Sequence, residues 1–312
     1  MRIAVLSYLA SYGNAPILAK AFGELGHAAR LIIRYTNAPG CDDYGFSAIA
    51  DCLQAEQPDQ CAQAREWIDS ADLLVFMAAP ALTLLWPMIY PKRKVQAGVF
   101  IATSSHLLKD PGGVNQAIDD AGLSVMAMPD KMPFLRRPSP AYWPPIAPLE
   151  VRDEQRIWIG HSPGKTAKHK WKGTADIKRV FRSLPVDCEI VEHKPHPELL
   201  VYRRHFSIWV DQMVRPRRFS EHPAAWAGGL GKSGLEAMAA GCAVVTGTGA
   251  VWGGVGISSP PVINTNRHGL FGVLQFLVRN PEECRQLGRS GRRWVREHCN
   301  PKTVAESVIQ AA

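Results

Sequence analysis

Gly228–Gly241 reads GGLGKSGLEAMAAG. Glycines give way to a lysine and a serine, and then to an alanine-rich apolar run with one acid, Glu236. Glycine has no Cβ, so its backbone N–H can come close to an anion. The run that follows predicts a helix, whose first turn offers unpaired N–H groups and the positive end of the macrodipole. Gly231, Lys232 and Ser233 are then placed to meet a phosphate, and Glu236, one turn in, to accept from sugar hydroxyls. Together these residues could hold a nucleoside diphosphate by both ends.

Three other readings of the stretch compete. Gly229, Gly231 and Gly234 match G-x-G-x-x-G, but that fingerprint should follow a strand and precede an acid about 20 residues on. The preceding EHPAAWA has no strand pattern, and no Asp or Glu occurs between Glu236 and Glu282. Gly231-Lys232-Ser233 also resembles the end of a phosphate-binding P-loop, but that motif needs glycine where Trp226 stands. A glycine-rich turn that simply starts a helix stays open as the third.

The 312 residues suffice for two domains. A hydrophobic share of 46% with 21% charged residues fits a globular enzyme and excludes a disordered chain. The net charge of +8 is uneven: residues 1–150 hold 12 Lys+Arg against 14 Asp+Glu, and residues 151–312 hold 24 against 14. The second half therefore carries +10, which points to an anionic ligand there. The 7 cysteines include no C-x-x-C pair, so neither a disulfide framework nor a zinc site is expected, and a reducing cytoplasm is. No metal or cofactor is called for by any His/Asp/Glu cluster with ligand spacing. MRIAVLSYLA lacks a cleavage site and soon meets Lys20 and Glu24, so it is not read as a signal peptide. Leu73–Pro91 is 19 uncharged residues long, but Pro80 and Pro87 interrupt it, and strand, loop and short helix are expected rather than a membrane span.

Strand and helix patterns alternate along the chain. Strands are expected at Arg2–Ser7, Ala29–Ile33, Leu73–Met77, Gly98–Thr103 and Leu123–Ala127, with a helix at Ala15–Leu25 closed by Gly26. The loop between the first strand and that helix makes Gly13 and Asn14 candidate acceptor contacts. Residues 136–149, with five prolines, read as a stiff interdomain linker. A second series follows: strands at Arg156–His161, Asp187–Glu192, Ile208–Val210 and Ala243–Thr246, and helices at Thr174–Ser183, around Glu236, at Gly269–Arg279 and at Glu282–Glu297. Strands separated by helices imply parallel sheets, hence two α/β domains, 1–149 and 150–312, with a ligand cleft between them.

In order, Ile159-Gly160-His161-Ser162-Pro163, Lys172-Gly173-Thr174, Val210-Asp211-Gln212, the GKSGLEAMAAG run, Leu287-Gly288, Gly291-Arg292 and Trp294-Val295 resemble the donor domain of a GT-B glycosyltransferase, nearest the retaining family 4. The resemblance spans roughly residues 155–300. It implies two Rossmann-like domains with parallel sheets facing a central cleft. It also implies sugar transfer from a nucleotide-diphosphate sugar, retention of configuration, a metal-free mechanism and no cofactor. The family commonly has two acids eight positions apart. Here the second is Glu236 and the first falls on Gly228, so no carboxylate role attaches there.

The resemblance gives Glu236 the donor ribose and gives phosphate contacts to Lys172, Lys232 and Ser233, with Lys168 beside them. His161, Ser162 and His196 join the donor set, His196 on a loop near the base, against the alternative that a strand-end or loop histidine is structural. His106, in Thr103-Ser104-Ser105-His106, is the catalytic candidate, as a contact to the transferred sugar. Asp211 is read either as a loop-fixing or as a catalytic group. Tyr142, Trp143 and Trp209 are core, interface or stacking residues. Arg215–Ala227 looks like a basic insertion, and Arg215, Arg217 and Arg218 are candidate contacts to a polyanionic acceptor such as a modified DNA base, a lipid phosphate or an acidic saccharide. A non-catalytic nucleic-acid-binding protein and a nucleotide-sugar epimerase on the same fold remain the alternatives.

Overall fold

A computed structural model of the chain describes residues 1–9, 14–35, 50–52, 58–78, 81–86, 95, 97–102, 110–129, 132, 135–136, 139–149, 156–163, 172–213, 230–247 and 259–312. These residues form two compact units, Met1–Ala147 with Asn300–Ala312, and Pro148–Cys299.

In the first unit the apolar runs become β1 (Arg2–Leu9), β2 (Ala28–Tyr35), β3 (Ala50–Cys52), β4 (Leu73–Met77), β5 (Gly98–Ala102) and β6 (Ser124–Ala127). They pair in parallel in the order β3-β2-β1-β4-β5-β6. β4 and β5 are buried along their whole length, as parallel strands covered on both faces must be. Helices α1 (Asn14–Glu24), α2 (Pro58–Asp69) and α3 (Pro111–Ala121) connect them. Asp110 caps α3 by accepting from the Gly113 N–H, and Gly122 closes that helix at φ +70°, where glycine is unstrained. After β4 comes a π-helical turn, Ala81–Leu85, so the long uncharged segment is no single helix. Among the described residues no helix is long and apolar enough to cross a membrane.

The second unit holds β7 (Trp158–His161), α4 (Thr174–Phe181), β8 (Asp187–Ile190), α5 (His196–Tyr202), β9 (Ile208–Met213), α6 (Lys232–Ala239), β10 (Ala243–Gly247), β11 (Ile263–Asn264), α7 (Leu270–Arg279) and α8 (Pro281–His298). Its sheet, also parallel, runs β11-β10-β9-β7-β8. The core gathers Ile159, Ile208, Val210, Ala243 and Val245 from the strands with Ile177, Phe181, Leu270, Leu274 and Leu277 from α4 and α7. On α8 the buried Cys284, Gly288, Gly291, Trp294 and Val295 make one stripe. Gly288 is required there, since a Cβ would lie 2.0 Å from the Gly241 carbonyl oxygen, in the turn that ends α6.

The expected boundary at 149/150 nearly coincides with the division after Ala147, but the second domain does not run to 312. Helix α9 (Pro301–Ala311) belongs to the first unit, where Val304, Ala305 and Val308 share a core with Leu18 and Phe22 of α1. Nor is the proline-rich segment a free linker. Tyr142, Trp143 and Ile146 are buried, the Tyr142 N–H donates to the Ala127 carbonyl at 2.7 Å, and Tyr142 joins the same core.

Candidate nucleotide-binding site

The first strand of the second unit, β7, lies between β8 and β9, so the chain leaves it in one direction and then returns to its other side. In open parallel sheets ligands settle at such a reversal, outside the carboxyl ends of the two strands. Those ends are His161 and Met213. Two helices begin just beyond. α4 starts after Lys172-Gly173, with Gly173 at φ +68° and its α-carbon so near Met213 that a Cβ would meet the Met213 carbonyl oxygen at 2.2 Å. α6 starts at Gly231-Lys232. Their N-termini bring backbone N–H groups and positive dipole ends to the carboxyl ends of β7 and β9.

Asp211, on β9, ties these two starts together. Its carboxylate is fully buried, Oδ2 accepts from the Gly231 N–H at 2.9 Å, and Oδ1 lies 3.6 Å from Lys172 Nζ. Lys172 Nζ also donates to the Ser162 carbonyl at 3.2 Å, so Ser162 acts through its backbone. The loop-fixing reading of Asp211 is the one this geometry carries. Asp211 and Gln212 lie within β9, not after it.

His161 is corrected. Its ring is wholly buried, with Nδ1 2.8 Å from the Val210 carbonyl oxygen and Nε2 3.0 Å from Thr174 Oγ1. Both ring nitrogens are used inside the protein, to bind β7 to β9 and to the first residue of α4, so the ring does not face a ligand.

Glu236 lies one turn along α6 and is also buried. Its Oε2 accepts from Arg203 Nη1 at 2.6 Å, and its Oε1 lies 2.7 Å from His196 Nε2 and 3.8 Å from Lys232 Nζ. Burial by itself would raise the Glu236 carboxyl, but Arg203, the His196 hydrogen bond and Lys232 outweigh it and hold the group down to about 2. Burial pushes the Lys232 ammonium below the usual lysine range, with Arg203 adding to the push and Glu236 opposing it. Ser233 Oγ takes hydrogen bonds from Arg203 Nη2 at 3.3 Å and from Trp209 Nε1 at 3.2 Å.

The structure therefore brings Ser162, Lys172, His196, Gly231, Lys232, Ser233 and Glu236 together in one unit. His196 is the first residue of α5 rather than a loop residue, since Pro195 and Pro197 start that helix. Trp209 is fully buried beneath the Arg203 guanidinium, 4.6 Å from its ring centre, so it stacks on no ligand. Asn14 begins α1 in the first unit, with Oδ1 buried and without a hydrogen-bond partner. Gly13, His106, Lys168, Arg215, Arg217 and Arg218 lie outside the described residues. Among the described residues no three His, Cys, Asp or Glu side chains converge to hold a metal ion.

Arg203 is the site residue that the sequence reading missed. It stands in Tyr202-Arg203-Arg204-His205, a run that reads as solvated surface, yet it is 1% exposed. The available signal was the lone acid of α6, which when buried needs cations around it.

No protein-family profile and no curated protein matches the sequence. Among solved structures, a sucrose-phosphate synthase from Thermosynechococcus elongatus matches with TM-score 0.65 at 14% identity, over 99% of this chain and 97% of that one. Anabaena HepE in complex with UDP matches with TM-score 0.68 at 11% identity, over 99% of both chains. A glycosyltransferase from Rickettsia africae matches with TM-score 0.61 at 13% identity, over 99% and 96%. The architecture is thus that of GT-B glycosyltransferases, two Rossmann-like units with parallel sheets, as the sequence predicts.

Proposed function

We propose that the chain is a glycosyltransferase whose second unit binds a nucleotide-diphosphate sugar and whose reaction passes the sugar to an acceptor hydroxyl. One observation carries this reading: two helix N-termini open side by side at the reversal point of a parallel sheet, each with a lysine, and an ionised acid sits one turn along the second. In sugar transfer the diphosphate leaves with growing negative charge, and preorganised donors and cations stabilise such charge. Lys172, Lys232 and the N–H groups at the starts of α4 and α6 are the groups assigned to it, and Glu236 is assigned to the ribose. These cations make a divalent metal unnecessary in the proposed scheme. HepE has been captured with UDP and with UDP-glucose, which makes uracil the first base to test.

Retention of configuration follows the resemblance to family 4, and His106 is proposed to touch the transferred sugar. An anionic acceptor is proposed from the +10 balance of residues 151–312, with Arg215, Arg217 and Arg218 as its contacts. The test of the central reading is a thermal-shift panel of UDP, GDP, ADP, CDP and their sugars. A ligand at 100 times its dissociation constant should stabilise the protein by about 2.7 kcal/mol. No shift with any of them overturns the reading. Conversion of the sugar nucleotide to its epimer without acceptor, with the nucleotide still attached, would instead mark an epimerase.

A further inference from the structure

The carboxylate of Glu236 is not symmetric in its surroundings. Among the described residues Oε2 meets Arg203, whose side chain is 1% exposed, in the 3-10 turn Arg203–His205 between α5 and β9. Oε1 meets His196 and Lys232, whose side chains are 24% and 15% exposed. Oε2 therefore faces the more deeply buried partner, and Oε1 faces the two partners that reach nearer to solvent. Arg203 is itself held firmly: its guanidinium lies over the Trp209 ring, and Nη2 donates to the same Ser233 hydroxyl that the Trp209 indole N–H reaches. Its backbone carbonyl faces the buried Cys242 thiol at 3.6 Å. Two N–H donors of one planar fork thus fix two residues of α6, Ser233 and Glu236, which are almost one turn apart. A lysine supplies a single point of charge and spans no such pair.

We infer that Arg203 is a positioning residue for donor recognition: it holds Glu236 Oε2 and Ser233 Oγ from beneath, and so turns Glu236 Oε1 towards the ribose hydroxyls. This rests on the proposed function, since it assumes that Oε1 is the oxygen a ribose meets. Arg203 touches no ligand in this scheme and acts only through Glu236 and Ser233. Its effect falls on the choice between ribose and deoxyribose, and not on the phosphates, which the N-termini of α4 and α6 serve.

The test measures dissociation constants of UDP, 2′-deoxy-UDP and 3′-deoxy-UDP by calorimetry for the wild type, Arg203→Lys and Ser233→Ala, with the GDP series in parallel. Losing a hydrogen bond to a charged group weakens binding by roughly ten- to a hundredfold, so the wild type should prefer the ribonucleotide by at least about tenfold. Arg203→Lys keeps a buried cation for Glu236 and should fold, with the preference falling towards one while 2′-deoxy-UDP affinity stays near that of the wild type. Ser233→Ala removes one arm of the fork and should reduce the preference partially. Arg203→Met/Glu236→Gln removes both charges and serves as a folded reference with weakened discrimination. A lowered melting temperature in Arg203→Lys with the ribose preference intact overturns the inference and leaves Arg203 a structural ion pair. Tight UDP binding by a wild type that does not discriminate overturns it together with the ribose role of Glu236, while the diphosphate site stands. No nucleotide binding at all overturns it together with the proposed function.

Discussion

Asp211 accepts a hydrogen bond from the Gly231 N–H at 2.9 Å and leaves little room for a side chain at either glycine of the turn. A Cβ on Gly231 would stand 3.1 Å from Asp211 Oδ2, and one on Gly234 would stand 3.2 Å from it and 2.5 Å from Leu230 Cδ1. Two glycines of the signature stretch thus fit a buried carboxylate on the preceding strand, β9, as well as any anion. Asp211→Ala leaves the Gly231 N–H without its acceptor and Lys172 without its counter-charge. The cost of an unsatisfied group is about 1–3 kcal/mol. Asp211→Asn keeps an acceptor for the N–H and should lose clearly less. Urea unfolding midpoints read the difference. Equal losses for Asn and Ala would assign the holding to the ion pair with Lys172 and not to the hydrogen bond.

Glu236 makes the stability of the second unit depend on acid. Its folded carboxyl is held down to about 2 against an ordinary value of 4.5. A depressed carboxyl adds stability that is present above the unfolded value and is lost as the pH falls through the folded one. The window is therefore about pH 4.5 down to about pH 2, and the contribution at neutral pH is about 3 kcal/mol. The unfolding free energy of the wild type relative to Arg203→Met/Glu236→Gln should fall by about that amount across this window. A difference that stays constant with pH would mean that Glu236 is not paired in solution. Glu236→Ala is a poorer probe, because stranding a buried Arg203 costs about 3–5 kcal/mol on its own.

The parts of the chain that sequence alone made legible are those where one physical signal dominates. Leu73–Met77 is a pure apolar run after Asp72, and its strand has the expected ends. The apolar stripe of α8 survives five arginines, because Cys284, Gly288, Gly291 and Trp294 recur at helical spacing. β3, Ala50–Cys52, is three residues long with no β-branched side chain, so nothing marks it. α5 begins Pro195-His196-Pro197, which reads as a turn until one notes that proline is tolerated in a first helical turn. α9 carried a readable signal, Asn300 capping through Lys302 N–H before Val304, Ala305 and Val308, but its assignment to the first unit is a long-range fact that no local pattern encodes. At the site, the motif marked Glu236 and Lys232, but not Arg203, whose burial depends on what folds over it. His161 was placed at its strand end correctly, yet which way the ring points is set by Val210 and Thr174.

Arg215, Arg217 and Arg218 lie outside the described residues, and the +10 charge of residues 151–312 is what points to an anionic acceptor. Each phosphate contact to duplex DNA contributes roughly 0.9 to the log–log salt dependence of binding. Changing all three arginines to alanine should weaken binding of a polyanionic acceptor and, for DNA, lower that slope by about 2–3. UDP affinity should not move. Absence of DNA binding by the wild type at low salt excludes nucleic acid as the acceptor and transfers the test to anionic vesicles and acidic saccharides.

Lys172 and Lys232 should together replace a divalent metal in binding the diphosphate. Lys172 Nζ is 3.6 Å from a carboxylate oxygen of Asp211, and Lys232 Nζ is 3.8 Å from one of Glu236, so both cations are held at the helix starts before any ligand arrives. A charge-assisted contact contributes about 1.5–3 kcal/mol, so removing either lysine should weaken UDP by roughly ten- to a hundredfold, while uridine, which has no phosphate, is little affected. Lys172→Ala also strands the buried Asp211, and Lys172→Met/Asp211→Asn, which removes both charges, separates lost binding from lost folding. Sugar transfer should then continue in the presence of a chelator at nearly its rate with magnesium or manganese. Complete loss on chelation with full rescue by metal would show that the lysines do not suffice, and that the diphosphate leaves on a cation the protein must recruit.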